Sequence, residues 1–202
     1  MNLHVHRLAR RFSRPLLLAG LLSCAVAPLF GQEPGDGGPV AVVETDQGSF
    51  AIRLLPELAP AHAAHFEKTA REGGFDGTTF HRIIPGGIIQ GGDPLSKDPG
   101  KASRYGTGGL GLLKAEFSDK PFARGVVAAA RRPSDVDSGG SQFFICIREQ
   151  PSLLGQYTIF GEVIEGMDVV DAISMTPVDG DKPRQRVEMK VHMREAGEST
   201  GP

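Results

Sequence analysis

FHRIIPGGIIQGGD, at residues 80–93 of this 202-residue chain, carries the clearest secondary-structure pattern in the sequence. Its beginning continues a β-branched and aromatic run, so residues 78–84 are predicted to form a strand. Pro85-Gly86-Gly87 favours a tight turn, after which Ile88-Ile89-Gln90 is predicted to return as a short second strand. The stretch therefore predicts a β-hairpin.

This hairpin is predicted to collect functional side chains on one face. Side chains alternate along a strand, so Phe80, Arg82 and Ile84 are expected to share a face. Across the turn, Ile88 and Gln90 can lie on the face of Arg82.

A second stretch, GSQFFI at 140–145, extends the pattern. Gln142 and Phe144 are predicted to share one face of a strand, with Phe143 and Ile145 on the other. The two stretches together supply one arginine and two glutamines among isoleucine and phenylalanine side chains.

Outward from this centre, the chain has the pattern of a mainly β protein. The remaining strands are predicted at 40–45, 49–54, 125–130, 142–147, 158–163 and 187–193, with helices from Pro60 to Gly73-Gly74 and at 167–175, and loops at 91–114 and 131–140. Short strands without β-α-β alternation favour a closed barrel capped by helices.

The N-terminal region is unlike the rest of the chain. Several arginines precede an apolar run at 15–30, which is the layout of a secretory signal, and we assign residues 1–31 to a signal peptide. A buried N-terminal helix is the alternative, but proline and glycine interrupt the run. Residues 32–38 are predicted to be a flexible linker, 39–193 the folded domain, and 194–202 a disordered tail.

The cleavage point of this signal has two interpretations. Leu21-Leu22-Ser23-Cys24 resembles a bacterial lipobox, which would place a lipid on Cys24 as the chain's membrane attachment. Ordinary cleavage near Ala27 or Gly31 is the alternative. Either way we expect an exported protein of the periplasm or cell envelope.

Charge and cysteine content exclude several classes. With 22 Lys and Arg against 24 Asp and Glu, the net charge is −2, which does not favour nucleic acid as a partner. Because Cys24 lies in the signal, Cys146 is left alone and is predicted to be a buried core thiol. His62 and His65 have the spacing of a metal pair, but no third ligand is near in sequence, and a solvated helix face is the preferred interpretation.

The motifs resemble the signature stretches of the cyclophilins. FHRIIPG (80–86), QGGD (90–93) and GSQFFI (140–145) match in order and approximate spacing, and FGEV (160–163) followed by EGM (165–167) matches the next segment. The resemblance covers about residues 40–193. It implies a closed eight-stranded antiparallel barrel capped by two α-helices, with a site on its outer face. It also implies peptidyl-prolyl cis/trans isomerase activity on proline-containing polypeptides, without a metal or other cofactor, and we expect a monomer.

The same resemblance implies roles for individual residues. Arg82 takes the place of the catalytic arginine. The substrate-binding positions fall on His81, Ile88, Gln90, Ala130, Arg131, Gln142, Phe144, Leu153 and Tyr157. Gln90, Gln142 and Ala130 are expected to contact the peptide backbone, while Ile88, Phe144 and Leu153 are expected to line the proline pocket. His81 is expected to be a hydrogen-bonded support, and Tyr157 stands where many relatives have His.

The chemistry suits these residues. Rotation about an X-Pro bond is opposed by amide resonance, a barrier of roughly 18–20 kcal/mol. No covalent bond breaks, so the enzyme needs only to favour the twisted amide over both planar forms. Arg82 can donate to the pyramidal proline nitrogen or to the neighbouring carbonyl. Assistance to the folding of exported proteins is the expected role; a proline-peptide binding or chaperone module with little turnover is the alternative.

Three positions depart from the family pattern. Gly87 stands where a pocket-walling Phe is usual, Ser152 where Trp or another aromatic is usual, and Ala129 where Met is common. The loop 131–140 is also longer than in compact relatives. We expect a shallower, more open pocket, and weak binding of cyclosporin-type ligands.

Overall fold

The computed structural model describes residues 38–194. The predicted signal peptide at 1–31, nearly all of the linker at 32–38, and the tail beyond residue 194 lie outside this range. Among the described residues, no helix is long and apolar enough to cross a membrane.

Eight strands of the described chain close into an antiparallel barrel. The elements in chain order are β1 Val40–Thr45, β2 Gly48–Leu54, α1 Pro60–Arg71, β3 Thr78–Ile84, β4 Ile88–Gly91, β5 Val126–Ala129, β6 Phe143–Cys146, β7 Ile159–Glu165, α2 Met167–Ser174, β8 Val178–Asp179, β9 Lys182–Pro183 and β10 Glu188–Met193. Around the barrel the strands follow the order β1-β10-β3-β4-β6-β5-β7-β2. Strands β8 and β9 form a separate small hairpin. The predicted mainly β barrel with two helices is confirmed.

The barrel interior is filled by alternate residues of its strands. Phe50, Ile52, Ile83, Ile89 and Ile145 are each 0 % exposed and belong to one core cluster. Burial of each such side chain stabilises the folded state by about 1.5–3 kcal/mol. Because these residues point inward, their neighbours along the same strands point to the outer surface of the barrel.

The two helices pack onto the same core. The Phe66 ring of α1 lies 5.4 Å from the rings of both Phe143 and Phe160, measured between ring centroids. On α2, Val170 and Ile173 are fully buried. These contacts fix the helices to the barrel.

Strand β3 contains a β-bulge that the sequence analysis did not anticipate. Phe80 pairs with Gly91 and Arg82 pairs with Gln90, which leaves His81 as the extra residue. The extra residue reverses the alternation, and the Phe80 ring lies inside the barrel, 6.1 Å from that of Phe143. The prediction that Phe80 shares a face with Arg82 is therefore wrong.

The start of α1 is held by a side chain from a distant loop. Ala59, at the N-cap, supplies no side-chain hydrogen bond. Instead, the Glu116 carboxylate accepts from the backbone N–H groups of Ala61 and His62, both at 3.1 Å, and lies 2.6 Å from His62 Nδ1. His62 is therefore buried, and its assignment to a solvated helix face is wrong. Within residues 38–194, no three His, Cys, Asp or Glu side chains are grouped as metal ligands.

The ends of the described range belong to the folded domain. The Arg194 backbone N–H donates to Val40 O at 2.8 Å, and its guanidinium makes two hydrogen bonds of 2.8 Å to Glu165. A Cβ at Gly38 would lie 2.2 Å from Leu54 O, so the chain already runs against β2 there.

Candidate active site

A groove of about 890 Å³ crosses the outer face of the barrel. It follows β3, β4 and β6, the strands that carry the polar and apolar side chains singled out above. Nine of the predicted site residues line it, namely His81, Arg82, Ile88, Gln90, Ala130, Arg131, Phe144, Leu153 and Tyr157. Gln142 is the predicted residue that does not.

Strand register explains why Arg82 and Gln90 meet. They are cross-strand partners in the β3–β4 hairpin, and Gln90 is in turn the partner of Phe144 on β6. Directly opposed side chains lie about 5 Å apart at Cβ. The hairpin thus brings the arginine, a carboxamide and the apolar floor of the groove together.

The Arg82 guanidinium is held from two sides. Its Nε donates to Asp181 Oδ2 at 2.8 Å, and its Nη1 donates to Gln90 Oε1 at 3.2 Å. In the described range, Nη2 has no hydrogen-bond partner, and the side chain is 41 % exposed. The arginine is thereby oriented while donors remain free toward the groove.

Gln142 lies behind this arrangement. Its side chain is fully buried, with Oε1 accepting from Gln90 Nε2 at 3.0 Å and Nε2 donating to Gly108 O at 2.7 Å. A continuous line of hydrogen bonds therefore runs from Asp181 through Arg82 and both glutamines. Direct contact of Gln142 with a peptide stays a prediction; in this structure it reaches the groove only through Gln90.

The apolar end of the groove is built on Phe144. Its ring stacks on Phe122 at 6.4 Å and meets the edge of Tyr157 at 5.3 Å, between centroids. Ile88 and Leu153 are partly buried against the same cluster. This end has the shape and chemistry to hold a small apolar ring.

Arg131 borders the apolar end. Its guanidinium carbon lies 4.7 Å from the centre of the Tyr157 ring, a cation–π contact. Its Nε also donates to Gln156 O at 2.9 Å. The side chain therefore fixes the Tyr157 ring that forms part of the pocket wall.

His81, the bulged residue, forms part of the groove floor and is 8 % exposed. Neither ring nitrogen has a hydrogen-bond partner within the described part of the chain. The expectation of a hydrogen-bonded support is therefore wrong. Burial lowers the pKa of His81, and the Asp93 carboxylate offsets only part of this effect, so the ring is neutral at pH 7.

The three departures from the family pattern have different structural meanings. Gly87 lines the groove, and a Cβ there would be 3.0 Å from Ile84 Cγ2, so its position is tight. Ser152 is exposed in the short 3₁₀ helix Pro151–Leu153. Ala129 is buried in the barrel core. Its small size therefore does not open the groove.

Several groove residues lie in segments whose sequence does not predict a site. Asp181 comes from the turn between β8 and β9, and Tyr105, Gly106 and Arg186 line the groove beyond His81. The predicted loop at 91–114 contains two 3₁₀ helices, Pro94–Lys97 and Pro99–Arg104. No motif marks these residues, although each 3₁₀ helix begins with an Asp-Pro pair that indicates an N-terminal cap.

Fold and site together define a class: an antiparallel barrel with a groove on its outer face, in which a fixed arginine lies beside an apolar pocket. Residues 40–194 match the family described as cyclophilin type peptidyl-prolyl cis-trans isomerase. The chain belongs to this family, and it is a peptidyl-prolyl cis/trans isomerase.

Individual relatives agree with this assignment. A probable peptidyl-prolyl cis-trans isomerase of Brucella suis is 40% identical over 163 residues, which cover 78% of this chain and 83% of the relative. Peptidyl-prolyl cis-trans isomerase B of Bacillus subtilis is 41% identical over 130 residues, covering 64% and 85%. A crystal structure of a Cryptosporidium parvum cyclophilin type isomerase superposes with a TM-score of 0.70 at 27% identity, covering 78% and 98%.

Proposed function

We propose that this chain rotates X-Pro peptide bonds by holding the twisted amide against Arg82. In the twisted state, amide resonance is lost and the proline nitrogen gains a lone pair that accepts a hydrogen bond. The free Arg82 donors can reach that nitrogen or the adjacent carbonyl oxygen. The observation that carries the proposal is the double anchorage of Arg82 by Asp181 and Gln90.

Fixed donors are effective because they need not reorganise as the amide twists. Asp181 and Gln90 use Nε and one Nη1 hydrogen, so the plane of the Arg82 guanidinium is set before a peptide arrives. Gln142 holds Gln90 in turn. We infer that Gln142 acts as a positioning residue for this line of hydrogen bonds.

The apolar end of the groove supplies the grip on the proline ring. Phe144, Ile88, Leu153 and Tyr157 form a continuous apolar surface next to Arg82. Excluding water there strengthens the hydrogen bond from the guanidinium. Holding the ring while the preceding carbonyl swings confines rotation to one side of the bond.

Proline-containing polypeptides are the substrates that we propose. A Cryptosporidium parvum isomerase of the same fold was crystallised in the presence of the dipeptide Ala-Pro, and it superposes on this chain with a TM-score of 0.69 at 27% identity. The signal-like sequence at 1–31 supports a role in the folding of exported proteins.

A proline-binding module with little turnover is the second candidate. Gly87 and Ser152 favour it, because neither supplies the large pocket-walling side chain usual in the family. A weaker grip on the proline ring would slow rotation of the bound X-Pro bond and leave the fold unchanged.

A protease-coupled assay with an X-Pro peptide tests the catalytic role. Arg82→Ala should lower kcat/KM by about 10²-fold or more, the size typical of a lost transition-state donor. Arg124→Ala is the matched control, because that arginine pairs with Asp171 and does not line the groove. Full activity of Arg82→Ala, with an unchanged circular dichroism spectrum, would contradict the assigned role.

Export is tested separately, by the mass of the mature N-terminus in a bacterial host. A start between Ala27 and Gln32, or a lipid-modified Cys24, supports it. A mature protein that keeps Met1 and the whole of 1–31 contradicts it.

A further inference from the structure

The groove continues past Arg82 into a second arm that the rotation itself does not require. Strand β3 has β4 on one side and the segment 181–187 on the other, with Ile83 N–H donating to Asp181 O and Phe80 N–H to Val187 O. The apolar pocket lies on the β4 side. The second arm lies on the other, and its lining includes Tyr105, Lys182 and Arg186.

One wall of the second arm is held rigidly. The Tyr105 hydroxyl accepts from Arg186 Nη1 at 3.0 Å and donates to Asp98 O at 3.0 Å. Arg186 Nη1 also donates to Ser96 O at 3.0 Å, and its Nε donates to Glu188 at 3.0 Å. The arm is therefore formed before a peptide binds, which limits the ordering entropy that binding must overcome.

The groove concentrates positive charge on a chain whose net charge is −2. Its lining contains four cationic side chains, Arg82, Arg131, Lys182 and Arg186, and one carboxylate, Asp181. Asp181 is paired with Arg82, and Glu188 with Arg186. A cleft lined mainly by one sign of charge attracts segments of the opposite sign.

Among the described residues of the second arm, Lys182 is the cation without an ion-pair partner, although its charge helps to lower the pKa of the neighbouring Asp181. Across residues 38–194, its ammonium group forms no ion pair within 4.0 Å, although Asp181 is adjacent in sequence. Lys182 directly follows Asp181, the residue that accepts a hydrogen bond from Arg82. An extended peptide advances about 3.3 Å per residue, so side chains two or three residues from the proline are the ones to test against such a neighbour.

We propose that the second arm makes this isomerase selective for X-Pro segments that carry an acidic side chain two or three residues from the proline. The Lys182 ammonium binds that carboxylate. The inference rests on the proposed function, since it concerns peptides already held at Arg82. It names the substrate class: proline segments with a neighbouring Asp or Glu.

The test uses NMR exchange on one uncharged X-Pro peptide and its variants. Glu, Gln or Lys is placed in turn two and three residues before and after the proline, and kcat/KM is measured at low and high salt. On one side of the proline, kcat/KM for the Glu peptide should exceed that for the Lys peptide by roughly 3- to 5-fold at low salt, which is the effect of an exposed ion pair. The difference should shrink at high salt.

Two charge-reversal variants identify the arm responsible. Lys182→Glu should invert the order of the Glu and Lys peptides. Lys190→Glu changes the net charge equally at an exposed position of β10, outside the groove, and should keep the wild-type order.

The outcomes separate the two proposals. Equal rates for Glu, Gln and Lys peptides, with normal turnover of the uncharged peptide, would overturn the selectivity and leave the isomerase mechanism standing. A Glu preference that survives Lys182→Glu would also overturn it. Failure to turn over any peptide would overturn the proposed function and this inference with it.

Discussion

At the residue scale, the proposed mechanism depends on how the hydrogen-bond donors of the Arg82 guanidinium are divided between its neighbours. Asp181 accepts a hydrogen bond from Arg82 Nε, and Gln90 accepts one from Arg82 Nη1. The hydrogen bond to Arg82 lowers the pKa of Asp181, so this carboxylate is ionised throughout the neutral range. In the proposed mechanism Asp181 is a positioning residue, since it orients the arginine without needing to touch the peptide.

Removing Asp181 should therefore slow turnover more than it weakens binding. For Asp181→Ala we expect kcat to fall by roughly 5- to 10-fold with little change in KM, because a loose guanidinium loses orientation in the twisted state. Asp181→Asn keeps an acceptor oxygen and should retain more activity. Steady-state kinetics on one peptide measures both constants.

Asp179→Asn provides the control on the same small hairpin. Asp179 pairs with Arg184 at the surface and does not line the groove. If Asp181→Ala and Asp179→Asn have the same kinetics as wild type, Asp181 does not position Arg82.

The sequence predicted some of these residues and not others, for physical reasons. Period-two alternation identifies Arg82, Gln90 and Phe144 as neighbours on one face. Alternation gives the face of a side chain but not its depth, so the burial of Gln142 beneath Gln90 was not predictable. Asp181 is 99 residues from Arg82 along the chain, and no local pattern links two groups so far apart.

At the scale of single elements, α1 illustrates stabilisation from a distance. Its first turn has no cap of its own, and Glu116, about one-fifth exposed, supplies the acceptors. Burial alone would raise the pKa of Glu116, but hydrogen bonds from the His62 ring and two backbone N–H groups outweigh this and lower it. The ionised carboxylate is therefore the form that stabilises the helix.

Glu116→Gln should destabilise the protein by about 1–2 kcal/mol at pH 7, the value of a helix cap with a charged acceptor. Because the folded-state pKa is lowered, this contribution is fully present above the ordinary pKa of 4.5 and is lost as the pH falls through the folded value. The difference in unfolding free energy between wild type and Glu116→Gln should therefore narrow in acid. Urea unfolding at several pH values measures it.

Glu67→Gln is the matched control on α1, since Glu67 pairs with Arg71 on the exposed face. It should change stability by less than about 0.5 kcal/mol. A constant difference between Glu116→Gln and wild type from pH 7 to pH 3 would contradict an ionised cap.

Elements with strong local signals were predicted well, and those formed by tertiary contacts were not. Strands 40–45 and 78–84 have the predicted bounds, because β-branched runs and turn residues define them. The bulge at His81 arises from pairing between β3 and β4, which single-strand alternation does not encode. The hairpin β8–β9 has only two residues in each strand, too few to show a period.

At the scale of the whole molecule, barrel closure shields the residues beneath the groove. Cys146 is 0 % exposed on β6, and burial raises the pKa of its thiol to about 12. Thiolate is the reactive form. We therefore expect iodoacetamide to leave Cys146 unmodified in the native protein and to label it once urea unfolds the barrel, as read by peptide mass spectrometry. Rapid native labelling would show that the barrel opens locally at β6.

The most direct test of the Arg82 mechanism separates binding from rotation on the enzyme. NMR exchange spectroscopy on one X-Pro peptide, with wild type and Arg82→Ala, gives both the Kd and the cis/trans exchange rate of the bound peptide. We predict that Kd changes by only a few-fold, while bound-state exchange slows by about 10²-fold or more. Equal bound-state exchange rates in the two proteins would contradict a guanidinium that stabilises the twisted amide.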